Sequence, residues 1–306
     1  MTIGTSNRFP IEEIDDNSWM IGRVVVSRSA SKPDGPSWND GKGAFFTISE
    51  ARNPKPSTRP LSDSCPIVEI SCGSATSKRG IFEVGHAYLT IHQNVGTPEH
   101  VTLEWLAGKD LSFQVPKVYY HGVHSDHYYL VYGAIPSGKN LLYAWPENKD
   151  HATMLSKWSG SAIAGVYGGL LVDQYLYKKI TDHASVHDPE NLRETCQEIS
   201  LDCSELVFAL NNVHPLAFTV NEEGLVGISS WRYAGFVPKD WVGTKVYSNS
   251  FFGSIDICRE SWPKTDFDNW GRLIQEAFKN RGFKDVWDNY YKWSSDRVDR
   301  FGERAI

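Results

Sequence analysis

The sequence predicts an α+β chain in which a small antiparallel-sheet lobe precedes a larger, mainly helical lobe. Three observations carry this. From Ile67 apolar residues alternate with polar ones through IVEISC, IFEVG and AYLTIH, the period of half-buried strands. After Asp150 the spacing becomes helical, through Met154, Trp158, Ile163, Val166, Leu170, Leu171 and Leu176. The same holds later for Trp270, Leu273, Ile274 and Phe278, and again for Val286, Trp287, Tyr290 and Tyr291. The third observation is length: 306 residues, 41% hydrophobic and 22% charged, suit one domain of two lobes. Residues 1–66 are expected to be an N-terminal extension packing on the small lobe, 67–134 the small lobe itself, and 135–306 the large lobe.

Composition excludes several function classes. A net charge of −6 argues against nucleic acid or an acidic membrane surface, both of which require a basic face, so neither partner is expected. The five cysteines (Cys65, Cys72, Cys196, Cys203, Cys258) are widely spaced and contain no C-x-x-C pair, so they read as reduced packing residues. The acidic N-terminus lacks a signal-peptide core, and the longest apolar run, SAIAGVYGGLLV, falls short of the roughly 20 residues that span a bilayer. No N-x-S/T sequon occurs, and a cytoplasmic location is expected. With 13% aromatic residues, 11 of them Trp, most rings must be core.

In chain order, VVVSRS (24–29) and AFFTIS (44–49) read as strands around a Ser/Pro/Gly/Asp-rich loop, and RNPKPSTRP (52–60) as an extended connector. The loop GSATSKRG follows the first strand of the period-two region; Lys78 and Arg79 sit at its tip, where basic residues are ordinarily solvated. Thr97-Pro98-Glu99 reads as a helix start, with Thr97 as N-cap and Pro98 at the first position. His121, His124 and His127 invite a metal reading, but zinc needs three or four converging ligands at about 2.0–2.3 Å. On a hairpin turning at HSDH, surface histidines are the expected outcome, and no metal or cofactor is expected. The stretch 150–179 should be a pair of core helices, 191–200 a further helix, and the chain should end in two amphipathic helices.

The most informative stretch is Leu206 to Trp231, LVFALNNVHPLAFTVNEEGLVGISSW. It reads as a strand, a polar turn, a second strand, an Asn-Glu-Glu-Gly turn and a third strand. This layout resembles the catalytic loop and hairpin of the aminoglycoside phosphotransferase and choline kinase family, whose fold is protein-kinase-like. Pro215, Gly224, Trp231, Ala234, Gly235 and Pro238 fall at the family's scaffold positions, and GFVPKDWVGTK (235–245) is similar to its fungal branch. Upstream, EHVTLEWL (99–106), QVPKVYYHG (114–122) and YYLVYGAIPSGKNLLYAW (128–145) resemble the family's helix, following strand and hinge. The resemblance spans about Ile67 to Lys245.

The resemblance implies a chemistry that the residues then withdraw. Laid over the family pattern, the base Asp falls on Asn212, the metal-binding Asn on Ala217 and the second metal-binding Asp on Ser230. The phosphate-holding lysine falls on Thr90. Mg²⁺ takes hard oxygen ligands, chiefly carboxylates, and the loss of a general base alone costs about 10²- to 10⁴-fold in rate. Glu99 opens the helix that in the family carries the lysine-pairing Glu; without that lysine it becomes a free cleft carboxylate or a structural one.

What remains is an apolar region with a few polar groups, the general character of a small-molecule site. Leu210, Leu216 and Phe218 are expected to line it, with Trp231, Arg232, Thr90 and Glu99 as further binding residues. His214, Asn212 and Ser230 are the candidates for catalysis. His214 can act as acid, base or hydrogen-bond donor near neutral pH, or can simply be satisfied by backbone. The leading reading is a cofactor-independent enzyme reusing the interlobe cleft for an apolar small molecule, by cyclisation, isomerisation or elimination. A pseudokinase-like binding protein is the alternative, and an active small-molecule kinase with atypical residues the second. Oligomeric state is not legible.

Overall fold

The structure is a computed structural model that describes residues 9–70, 79–144, 158–177, 187–211, 213–247 and 262–301. The fold is α+β and divides into two units, Met1–Asn94 with Pro116–Ala134, and Val95–Val115 with Ile135–Ile306.

The first unit is built from two five-stranded antiparallel sheets. Strands β1 (Ile11–Asp15), β2 (Ser18–Ile21), β3 (Val24–Ser29), β4 (Trp38–Asn39) and β5 (Phe45–Glu50) form one, in the order β1-β2-β3-β5-β4. Strands β6 (Ile67–Glu69), β7 (Gly80–Val84), β8 (Ala87–Gln93), β9 (Val118–His124) and β10 (His127–Gly133) form the other, in the order β6-β7-β8-β10-β9. The three strands expected from Ile67 onward are β6, β7 and β8. In the first 66 residues the sequence predicts β3 and β5 but not β1, β2 and β4.

Period-two alternation explains why the sheets meet. Trp19, Ile21, Val24, Val26, Trp38 and Phe46 from one and Phe82, Val84, Leu89, Ile91, Tyr129 and Val131 from the other form one buried cluster. Each such aliphatic or aromatic side chain contributes about 1.5–3 kcal/mol by leaving water. Two polar bonds fix the register of this packing. Trp38 Nε1 donates to the Val84 carbonyl at 2.6 Å, and the Tyr129 hydroxyl accepts from the Arg23 amide at 3.1 Å. The latter requires the β2–β3 turn to come close, and only Gly22 permits it: a Cβ there would lie 2.5 Å from that hydroxyl, on backbone at φ +63°.

The second unit begins with helix α1 (Glu99–Ala107) and contains the short helix α2 (Leu141–Ala144) and α3 (Pro189–Glu198). Strands β11 (Lys139–Asn140), β13 (Phe218–Asn221) and β14 (Gly224–Ile228) make a three-stranded sheet, while β12 (Leu206–Ala209) pairs antiparallel with β15 (Gly235–Pro238). Helices α4 (Lys239–Lys245), α5 (Lys264–Asn280) and α6 (Trp287–Phe301) follow. On α5, Trp270, Ile274 and Phe278 face inward as their spacing requires; on α6, Tyr290 is buried and Tyr291 exposed.

Two local expectations are corrected. Thr97 does not cap α1: its hydroxyl donates to the Leu170 carbonyl at 2.9 Å, and Pro98 takes the cap position. The pair of helices expected over 150–179 is absent from its described part, 158–177. There the chain is extended, with bridges Ser159 to Val207 and Ala164 to Phe236, and single 3-10 turns at Val166–Gly168 and Gln174–Leu176. The glycines explain this. A Cβ at Gly165 or Gly169 would collide with the Thr97 side chain, and Tyr167 sits at φ +55°. Ile163, Val166, Leu171 and Leu176 are nevertheless buried, so the helical spacing is met by successive turns. The remainder of that stretch, like Lys78, lies outside the described residues.

Candidate functional site

The family-like segment of the second unit has the expected skeleton. β12 is buried along its whole length and passes through buried Leu210 into a turn at Asn211, which adopts φ +62°. Asn212 lies outside the described residues. His214 is buried and extended (φ −123°, ψ 152°) and precedes a 3-10 turn, Pro215–Ala217, where its carbonyl accepts from the Ala217 amide at 2.9 Å. β13 and β14 then form a hairpin whose turn is held by Asn221 Oδ1 accepting from the Glu223 amide at 2.9 Å. The return limb is stitched to the 3-10 turn, because the Ser229 amide donates to the Ala217 carbonyl at 2.8 Å. The positions matching the family's metal-binding Asn and Asp are therefore brought to adjoining backbone, but as a buried methyl at Ala217 and a neutral hydroxyl at half-buried Ser230.

Trp231 is the centre of packing. It is fully buried and roughly stacked with Phe113 and Phe208, at centroid distances of 6.2 Å each. Its indole N–H donates to the Ile228 carbonyl at 2.8 Å, and its amide donates to Glu99 Oε1 at 2.7 Å. Of the two roles open to Glu99, the geometry gives it the structural one. Trp231 offers no free face to a ligand. Leu210 is buried, and Phe218 is buried against Trp270 with ring centroids 6.2 Å apart, so both belong to the core. Leu216, Ser230 and Arg232 are half-buried, with the Arg232 guanidinium over the Tyr233 ring at 5.2 Å. Thr90 belongs to the first unit, buried on the face of β8 opposite core residues Leu89 and Ile91 and paired with Ile81 and Leu130.

The most developed polar cluster was not legible in the sequence. The Lys245 side chain is 4% exposed, and its ammonium donates to Asp173 Oδ2 at 2.7 Å, Asn211 Oδ1 at 3.0 Å and the Asn211 carbonyl at 3.1 Å. Trp241 Nε1 donates to the same Asp173 oxygen at 2.7 Å, and Asp173 Oδ1 accepts from the Tyr175 amide at 3.2 Å. The Tyr175 and Trp241 rings each lie 5.5 Å from the ammonium. Burial pulls the Lys245 pKa below the ordinary lysine value, opposed by Asp173. Nearby, the Tyr177 hydroxyl is 3.0 Å from His187 Nδ1, and burial, reinforced by the Asp173 charge, raises its pKa.

In the first unit, the three histidines of the hairpin do not act together. His124 meets Tyr120 (2.7 Å) and Glu50 (3.2 Å), and His127 meets the Ser125 carbonyl (2.9 Å). In the second unit an open groove of about 470 Å³ runs along Leu111–Gln114 and the far end of the hairpin; it is lined by none of the expected site residues.

No protein-family model matches the chain, and no curated protein does. Among solved structures it is similar to a thermostable mutant of aminoglycoside phosphotransferase APH(4)-Ia, at 14% identity over 78% of this chain and 95% of that one, with a TM-score of 0.38. It is also similar to the streptomycin-ATP-APH(2")-IIa ternary complex (13% identity, 78% and 91% covered, TM-score 0.40). A third is choline kinase LicA from Streptococcus pneumoniae (12% identity, 76% and 91% covered, TM-score 0.33).

Proposed function

We propose that this is a phosphotransferase-like protein that has lost Mg²⁺·ATP-dependent phosphoryl transfer and instead acts on a low-charge organic molecule at the turn following β12. The observation that carries the first half is the fate of the carboxylates. The positions matching the family's base and metal ligands are Asn212, Ala217 and Ser230, and among the described residues the buried carboxylates of the same unit have structural partners: Asp173 binds Lys245 and Trp241, and Glu99 binds the Trp231 amide. A single neutral serine oxygen beside a methyl group does not fit Mg²⁺, which favours carboxylates, and no step is assigned to a metal.

The second half rests on what the turn presents. Val213 and Leu216 are half-buried apolar groups, Ser230, Arg232 and Tyr233 half-buried polar ones, and His214 stands between them in sequence. This mixture suits an uncharged or weakly charged ligand, with His214 as proton donor or acceptor and Ser230 or Asn212 as hydrogen-bonding groups. A cyclisation, isomerisation or elimination is the matching reaction class, because these need proton movement and orientation but no cofactor. Native mass spectrometry of the purified protein, followed by turnover assays on whatever co-purifies, tests this. Conversion without ATP or metal that falls about tenfold or more in His214→Ala and Asn212→Ala supports the enzyme. A bound molecule that is never converted makes the protein a binding module, and phosphorylation of the ligand makes it an atypical kinase.

A further inference from the structure

We propose that Lys245 is the positioning residue of this site: its buried ammonium is a built-in cation that holds Asn211 in its left-handed conformation at the end of β12, and so fixes the backbone from which the chain continues toward His214. The inference rests on reading the turn at Asn211 as the working part of the molecule.

The argument begins with the backbone. A non-glycine residue at φ +62° is uncommon, although asparagine tolerates it better than most, and it persists only where surrounding bonds over-determine it. Here one side chain supplies them. Lys245 grips Asn211 at both its main-chain carbonyl and its side-chain oxygen, and its third bond reaches Asp173. Among the described residues three oxygens converge on this ammonium, which carries three donors.

The cation is itself held rigidly. Asp173 is 2% exposed and is fixed by the Trp241 indole and the Tyr175 amide. Lys245 ends α4, and the Thr244 hydroxyl beside it donates to the Asp240 carbonyl at 2.7 Å. At Gly243 the helix backbone runs so close to the Lys284 carbonyl that a Cβ would collide with it. The Thr244 hydroxyl oxygen also accepts from the Val286 amide at 2.9 Å. Helix, acid and turn thus form a chain of contacts running from α4 to Asn211. Arginine is no substitute, since its planar fork does not present three donors to converging oxygens from one atom.

Hydrogen–deuterium exchange tests the proposal without needing a ligand, so its failure is separate from a failure to find a substrate. In Lys245→Ala, peptides covering 206–218 should exchange at least tenfold faster, while those covering β8 and β10 keep wild-type rates. Adding n-propylammonium, which matches the three carbons and the ammonium removed and donates three bonds, should restore protection; tetramethylammonium, which donates none, should not. Unchanged exchange over 206–218, or equal rescue by both cations, overturns the proposal. Should Lys245→Ala fail to fold, ¹⁵N NMR of the wild-type lysine ammoniums decides: a slowly exchanging ammonium signal, lost in Lys245→Arg, supports it, and no protected signal overturns it.

Discussion

The two units each bury a carboxylate against a cation, and they do so in opposite ways. In the first, Glu13 is 1% exposed but its partner Arg59 has a side chain that is 51% exposed; the arginine reaches in from the connector after β5 and also meets exposed Asp16. In the second, Asp173 and Lys245 have side chains 0% and 4% exposed, with indole, amide and asparagine groups closing the cage. The first pair is a strap over a hydrophobic core that is already complete. The second lies within the packing and touches the turn where chemistry is expected. A half-exposed pair is screened and replaceable, whereas a buried one is destabilising to break because the survivor is left as an unpaired buried charge.

The largest effect should therefore come from splitting the second pair. Lys245→Met removes the cation, keeps the volume and strands the Asp173 carboxylate, and should cost about 3–5 kcal/mol of unfolding free energy in denaturant titration. Adding Asp173→Asn to it should recover part of that loss, because the amide still accepts from Trp241 without a stranded charge. A double variant as unstable as the sum of the singles would mean the two residues act independently, and the comparison would fail.

Next comes the bond between α1 and the residue after Ser230. Glu99→Ala leaves the buried Trp231 amide without its acceptor and should cost about 1–3 kcal/mol. Glu99→Gln keeps an oxygen in place and should restore most of it. If Glu99→Gln is as damaging as Glu99→Ala, the charge matters for itself, and Glu99 has a role beyond holding Trp231.

These residues also show where sequence reading reached and where it stopped. The second sheet was legible because strands β6, β7 and β8 alternate at period two with one face in a common core. The hairpin was legible because Asn221 and Gly224 mark its turn. Residues 158–177 misled because Ile163, Val166 and Leu171 satisfy helical spacing while the intervening glycines permit turns that a helix excludes. Beside a catalytic-type turn an apolar residue looks the same in sequence whether it faces a ligand or the core, so the pattern does not reveal the burial of Trp231, Leu210 and Phe218. Lys245 was hidden for the opposite reason. A lysine near the end of a short helix is ordinarily solvated, and nothing local announces that Asp173, 72 residues away in sequence, will meet it. Asn211 carried a faint signal, being one of two adjacent asparagines at a turn, a residue type that tolerates positive φ.

A smaller effect, present near neutral pH and lost in acid, separates the first pair from the second. The Glu13 carboxyl is held at about 2, well below its ordinary 4.5, chiefly by the Ser62 amide and hydroxyl and then by Arg59. The unfolded chain therefore takes up this proton before the folded one does. Its contribution is fully present above about pH 4.5 and is lost as pH falls toward 2. Glu13→Gln should lower Tm at pH 6, and the gap to wild type should close between pH 4.5 and 2. Asp40, likewise held at about 2 chiefly by its bond from Arg28, titrates in both proteins and cancels from the difference. A gap that stays constant with pH would show that Glu13 acts by shape and not by charge.

The smallest expected effect is none at all. A ligand that binds only the folded state stabilises it by RT ln(1 + [L]/Kd), about 2.7 kcal/mol at a hundredfold excess over Kd, which a melting curve registers plainly. Mg²⁺·ATP at millimolar concentration should leave the melting temperature unchanged. Asn212, Ala217 and Ser230 provide neither a base nor a carboxylate for metal, and Asp173 and Glu99 are occupied by Lys245, Trp241 and the Trp231 amide. Lys245→Met sharpens the test, because it releases Asp173 from its cation. If Mg²⁺·ATP shifts that variant but not the wild type, the built-in ammonium is what keeps a carboxylate from a metal. If it shifts the wild type, with turnover of ATP, the chain is a kinase that works without the usual ligands, and the proposed low-charge substrate gives way to a phosphate acceptor.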